Sequence, residues 1–134
     1  MKYIKLLFFS VVLLYTTQIQ AQQHTITHVK ITCYQPTKTQ CHGNPLITAD
    51  GSVINLDKLK TGKIRWCAVS RDLIYLFPKN KPKRIKIENC PPLNGIWEVH
   101  DKTSGKLKHT VDILIHPQDK HRYNFKKVKI LILK

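Results

Sequence analysis

Acidic residues are scarce in this chain, with 8 Asp and Glu against 23 Lys and Arg, so the places where they fall carry information. Asp112 interrupts the otherwise apolar run Val111-Asp112-Ile113-Leu114-Ile115. On the two-residue period of a strand, Val111, Ile113 and Ile115 share one face and Asp112 joins Leu114 on the other. A carboxyl among apolar neighbours is desolvated, which raises its pKa and lets it hold a proton near neutrality. That is the property a general acid requires. The competing reading is an Asp facing solvent on the outside of a barrel strand. Asp101 closes the run Ile96-Trp97-Glu98-Val99-His100 and opens a polar turn, the kind of strand-end position that serves as a functional site or simply starts a turn. Asp72, in Val69-Ser70-Arg71-Asp72-Leu73, has the same two readings.

Cys33, Cys41, Cys67 and Cys90 are a second set of reactive groups. In an oxidising compartment four cysteines read first as two disulfides with three possible pairings, of which Cys33–Cys41 with Cys67–Cys90 is favoured. Zinc is the rival, drawing on Cys41-His42 and the other histidines. The cysteines lack C-x-x-C spacing, and the one H-x-x-x-H pair, His24 and His28, falls at a β-type run rather than on a helix, so no metal site and no cofactor are expected.

The elements that must position these groups are short. After residue 21 no long amphipathic helix is legible, and β-type runs recur between Gly, Pro, Asn and Asp. Strands are expected at residues 25–33, 46–48, 64–69, 83–88, 96–100, 111–115 and 127–133, with a turn of helix at 55–60 capped by Asn55. Seven short, closely spaced strands argue for an all-β fold, a small closed barrel rather than an open sheet. The stretch Lys79-Asn80-Lys81-Pro82-Lys83-Arg84 reads as a solvated loop or a charged lip on a groove.

The first residues read as an address rather than as part of the fold. Lys2 and Lys5 precede the apolar run of residues 6–15, then polar residues and Ala21 at a plausible cleavage point. The run is roughly half the length a bilayer-spanning helix needs. Residues 1–21 are therefore expected to be a signal peptide and residues 22–134 one exported domain, periplasmic or secreted, without stable membrane insertion. An uncleaved anchor is the competing reading. Losing Lys2 and Lys5 leaves 21 basic residues against the same 8 acids, a net +13. Such a surface seeks polyanions: nucleic acid, anionic lipid or a carboxylate-bearing glycan.

From Val29 to Lys134 the sequence resembles a three-aspartate (3D) domain, the double-psi β-barrel of MltA-type lytic transglycosylases, and more distantly the barrel of RlpA and the expansins. In that pattern an aspartate follows an Ala-Val pair, here Ala68-Val69-Ser70-Arg71-Asp72. A second opens a D-T-G-G-x-I-K-G type motif, here Asp101-Lys102-Thr103-Ser104-Gly105-Lys106-Leu107-Lys108, with Thr103-Ser104 in place of Gly-Gly. The third lies in a strand of the type I-D-L-F, here Val111-Asp112-Ile113-Leu114, and Thr48-Ala49-Asp50-Gly51-Ser52 is similar to the T-A-S-G-E stretch of RlpA.

The resemblance implies a six-stranded double-psi barrel in a single domain. It also implies a peptidoglycan lytic transglycosylase that cleaves the bond between N-acetylmuramic acid and N-acetylglucosamine to a 1,6-anhydro product. Asp112 would be its single acid/base, Asp101 would orient the sugar, and Asp72 would hold the loops. Thr48, His100 and Lys102, within or beside these motifs, are supporting candidates. The alternative is a non-catalytic wall-binding module of the expansin kind. MltA-type enzymes add a second domain to deepen the groove, a wall that a homodimer of this chain would supply. The expected partner is the peptidoglycan glycan strand. Nucleic acid is not expected, because closely spaced aromatics for stacking on single strands are missing.

Overall fold

A computed structural model describes residues 23–134, so the expected signal peptide lies outside the described residues. Six strands close into a barrel: β1 (His24–Tyr34), β2 (Trp66–Val69), β3 (Arg84–Glu88), β4 (Gly95–Lys102), β5 (Thr110–Leu114) and β6 (Phe125–Leu133). Two helical turns, α1 (Leu56–Lys60) and α2 (Arg71–Ile74), and a short 3₁₀ turn at Pro91–Leu93 connect them. Around the barrel the order is β1-β5-β2-β4-β3-β6. The pairs β1/β5 and β2/β4 are parallel and the other four antiparallel. This closed, mostly β domain is compatible with the double-psi arrangement.

Alternation fills the barrel. Nearly every strand sends two residues inward: Val29 and Ile31, Cys67 and Val69, Ile85 and Ile87, Trp97 and Val99, Val111 and Ile113, with Val128, Ile130 and Ile132 from β6. Closure requires bending, and β1 and β6 bend together. His28 and Lys127 take left-handed φ of 60° and 57° where the β1–β6 register shifts. Each is an extra residue in its strand, and such bulges increase local twist and turn corners.

Of the seven expected strands, residues 46–48 do not form one. Only Ile47 makes a bridge, to Val53, inside the long excursion of residues 35–65. The expected helix at 55–60 is present as α1, where the Asn55 side chain accepts from the Lys58 amide at 2.9 Å. The excursion packs against the outside of the barrel, where Ile54 and Leu59 meet Leu114 of β5, flanked by Tyr34 and Trp66. One sector of the barrel's outer face is thus covered by chain rather than open to water. Among the described residues no helix is long and apolar enough to cross a membrane.

The favoured disulfides are not formed, and all four cysteines are free thiols. Cys33 packs on the inner core and contacts the Tyr123 segment, accepting from its amide at 3.2 Å. Cys41 instead lines a cleft on the outer face, with its thiol on the Gln35 carbonyl. Cys67 pairs with Val99 of β4, whereas Cys90 follows β3 beyond Ile87, whose partner is Gly95. Those levels lie about 13 Å apart along β4, well beyond the roughly 7 Å Cα separation a disulfide bridges. An even number of cysteines said nothing about which faces they would occupy.

Candidate functional site

The site is a row of residues running across four strands. Register places Thr32 of β1 beside Asp112 of β5, Asp112 beside Ala68 of β2, and Ala68 beside Asp101 of β4. All four lie on the outer face, and Asp112, Ala68 and Asp101 line a cleft of about 650 Å³ beneath the excursion. Its walls are residues 40–49 on one side and Lys102, Thr103, Ser104 and Gly105 on the other. The small Ala68 separates the two carboxylates and leaves room between them.

Asp101 reaches this face because β4 is irregular. Val99 pairs with Cys67, yet Ala68 pairs with Asp101, so His100 is an additional residue. Strict alternation from Val99 would turn Asp101 into the barrel. The bulge lets His100 and Asp101 both face outward.

Asp112 sits on the outer face yet is largely removed from water. Burial pushes its carboxyl above the ordinary carboxylate range, opposed by a hydrogen bond from Thr32 and reinforced by the nearby charge of Asp101. Thr32 Oγ1 donates to Asp112 Oδ1 at 2.7 Å. Oδ2 takes no hydrogen bond from the described residues and opens to the cleft. One oxygen is held and the other is free to exchange a proton.

Asp101 is a fixed acceptor. Its Oδ1 receives the Ala49 amide at 3.1 Å and its own neighbour's, Lys102, at 2.9 Å, and Oδ2 receives the Tyr34 hydroxyl at 3.1 Å. Burial, followed by the charges of Asp101 and Asp112, drives the Tyr34 hydroxyl far above its normal pKa, so it remains a donor. Tyr34 lies one residue past the strand expected at residues 25–33. It belongs to the site because β1 carries it outward on the same face as Thr32.

A second set of bonds locks the cleft wall. Thr48 Oγ1 donates to Asp50 Oδ1 at 2.7 Å, and the Ser52 amide donates to the same oxygen at 3.0 Å. His100 lies between two carboxylates, with Nδ1 2.7 Å from Asp50 and Nε2 2.9 Å from Glu98. Partial burial works against the Asp50 charge, but the Thr48, Ser52 and His100 bonds prevail and lower its pKa to about 2. Through this clamp His100 fixes the turn whose Ala49 amide reaches Asp101. Replacing His100 by Ala should speed amide exchange at Ala49, Asp50 and Ser52 and cost about 1–3 kcal/mol. Unchanged exchange at those amides would show that the wall holds without the clamp.

No known family, curated protein or solved structure matches this chain.

Asp72 is absent from the cleft. It lies in α2, where its Oδ2 accepts the His109 amide at 3.0 Å, and its Oδ1 is buried with no hydrogen-bond partner among the described residues. Desolvation opposes its charge, yet the neighbouring Ser70 hydroxyl and the bond from the His109 amide hold its pKa below the usual carboxylate value. It ties α2 to the turn entering β5. Lys102 and Thr48 line the cleft, whereas His100 acts from behind its wall. Among the described residues no three His, Cys, Asp or Glu gather as metal ligands.

Proposed function

We propose that this domain is an exported cell-wall protein that cleaves peptidoglycan as a lytic transglycosylase, with Asp112 as the single acid/base. The observation that carries this reading is the Asp112 carboxyl itself. It is desolvated, held at one oxygen by Thr32, and open to a cleft at the other. Such a group holds its proton to higher pH than an ordinary carboxyl does and can pass it to a glycosidic oxygen. Protonation of that oxygen lets the bond to C1 of the muramic acid break. The C6 hydroxyl of the same sugar then closes on C1, and its proton passes to Asp112, which restores the acid. One carboxyl suffices because no water has to be activated, unlike the paired carboxylates of ordinary glycosidases. Asp101 holds Tyr34 and the Ala49 turn in place rather than moving a proton, since three donors already occupy it. Lys102 on the rim, in a chain of strongly positive net charge, suits the carboxylates of the peptide stems.

The closed barrel and the order of Asp72, Asp101 and Asp112 support the three-aspartate reading. Incubation with purified peptidoglycan should release anhydro-muropeptides detectable by mass spectrometry. Retention on the polymer without any such product would assign the domain to wall binding instead.

Export is part of the same proposal and has its own measurement. The intact mass of protein recovered from outside the cytoplasm should correspond to a chain beginning near Gln22. Alkylation of that protein, denatured but not reduced, should label all four cysteines, because all four are free thiols in the barrel. A full-length mass would overturn cleavage, and fewer than four labels would overturn the free-thiol assignment.

A further inference from the structure

A second cleft of about 650 Å³ opens where β5 ends and β2 and β4 begin, and it shares no lining residue with the Asp112 cleft. Its apolar surface comes from Leu93, Trp97, Ile115 and Tyr123, and Lys60, Arg65 and His116 add polar donors. Arg65 is built into this mouth. Its guanidinium carbon lies 4.2 Å from the centre of the Trp97 ring, and Nη2 donates to the Asn94 carbonyl at 3.1 Å and to that of Leu93 at 3.4 Å. Gly95, at φ +111°, makes the space, since a Cβ there would stand 2.8 Å from Arg65 Nη1.

These partners are neutral, so the charge is positioned without being cancelled. Among the described residues no carboxylate pairs with Arg65 or Lys60. Asp119, the one acid lining the cleft, is already engaged by the His121 amide at 2.9 Å and ring at 2.6 Å. Lys60 spans the opening to Gln118 Oε1 at 3.2 Å. His116 Nδ1 accepts the Gln118 amide at 3.1 Å, which leaves its Nε2 as the donor. A rigid guanidinium, an ammonium and an imidazole N–H above an aromatic and aliphatic floor form a receptor for one kind of molecule.

We infer that this cleft binds a carboxylate carried on a small apolar body, with the carboxylate at Arg65 and Lys60 and the body against Trp97 and Tyr123. The two natural sources of that chemistry are a short acyl acid and the C-terminus of a short apolar peptide. The site stands whether or not Asp112 is catalytic.

The experiment titrates the folded protein, residues 22–134, with hexanoate, hexanamide and N-acetyl-alanyl-alanine, following the indole N–H resonances of its two tryptophans. The Trp97 indole donates to the Leu93 carbonyl at 2.8 Å inside the cleft, whereas Trp66 packs on the other side against His100. Saturable movement of the Trp97 signal alone is expected with one or both carboxylates, the tighter of them naming the source. Hexanamide, which keeps the shape and loses the charge, should bind at least about tenfold more weakly. Lys60→Gln, on an exposed helical turn, should weaken the carboxylate about threefold without affecting the fold. Arg65→Gln should weaken it further. Asp112→Asn should leave the titration unchanged. Equal binding of hexanoate and hexanamide, equal movement of both tryptophans, or an unmoved Trp97 would each overturn the assignment.

Discussion

Asp112→Asn should release no anhydro-muropeptides while remaining folded and still binding the wall polymer. Asn keeps the shape of the side chain, and its Oδ1 can accept the Thr32 hydroxyl as Asp112 does at 2.7 Å. What it cannot do is give up and regain a proton. Removing a general acid–base typically costs about 10²- to 10⁴-fold in rate, and here one carboxyl serves both transfers. Activity of the wild type should fall as pH rises through the raised pKa of Asp112, since the acid form starts the reaction. A variant with wild-type product release would end the catalytic assignment.

The same substitution carries a stability prediction of definite sign. Burial, which raises the Asp112 pKa in the folded state, means that the native protein holds this proton more tightly than the unfolded chain does. Stability therefore declines as pH rises above the ordinary carboxylate value of about 4 and through the raised one. Asn at this position has no charge to desolvate. At neutral pH the variant should melt at or above the wild-type temperature, and the difference should close below about pH 4. A lower melting temperature at neutral pH would mean that Asp112 is a structural acceptor, and any loss of activity would then follow from unfolding.

Local patterning made much of this architecture legible, and the failures lie where distant chain decides. Val111 and Ile113 do face inward with Asp112 on the opposite side, as period 2 requires. Asn55 caps its helix because a cap depends only on the next three residues. The desolvation of Asp112 is another matter. Alternation places it on the outer face, and only the excursion of residues 35–65 and Thr32, 80 positions away, make that face a covered one. Asp112 therefore lies on the outer face of its strand and is nonetheless desolvated. Asp101 was legible as a strand-end acid, but its outward direction depends on the extra residue His100, which an intact alternation conceals. Tyr34 and Arg65 carried no signal of their own, because a tyrosine ending a strand and an arginine beginning one are ordinary until their neighbours are known.

Ile31→Ala should lower stability by about 2–5 kcal/mol without touching any cleft residue. Ile31 is fully buried on β1, the strand that pairs with β5 at Val111 and with β6 at Phe125. Truncation removes contacts on both sides at once, and the bulges that already bend this corner leave the backbone little freedom to fill the gap. A domain of this size holds about 5–15 kcal/mol in total, so the change consumes a large share. With each 1 kcal/mol worth about 4 °C in a domain of this size, melting should fall by roughly 8–20 °C. Ile47→Ala is the control, because Ile47 is 48 % exposed and its loss should be almost silent. Ile31 also stands next to Thr32, whose hydroxyl holds Asp112 from the opposite face of the same strand. If the barrel rather than the excursion positions that hydroxyl, the variant should keep its activity well below its new melting temperature and lose it with the fold. Equal melting of the two variants would show that β1 does not close the barrel.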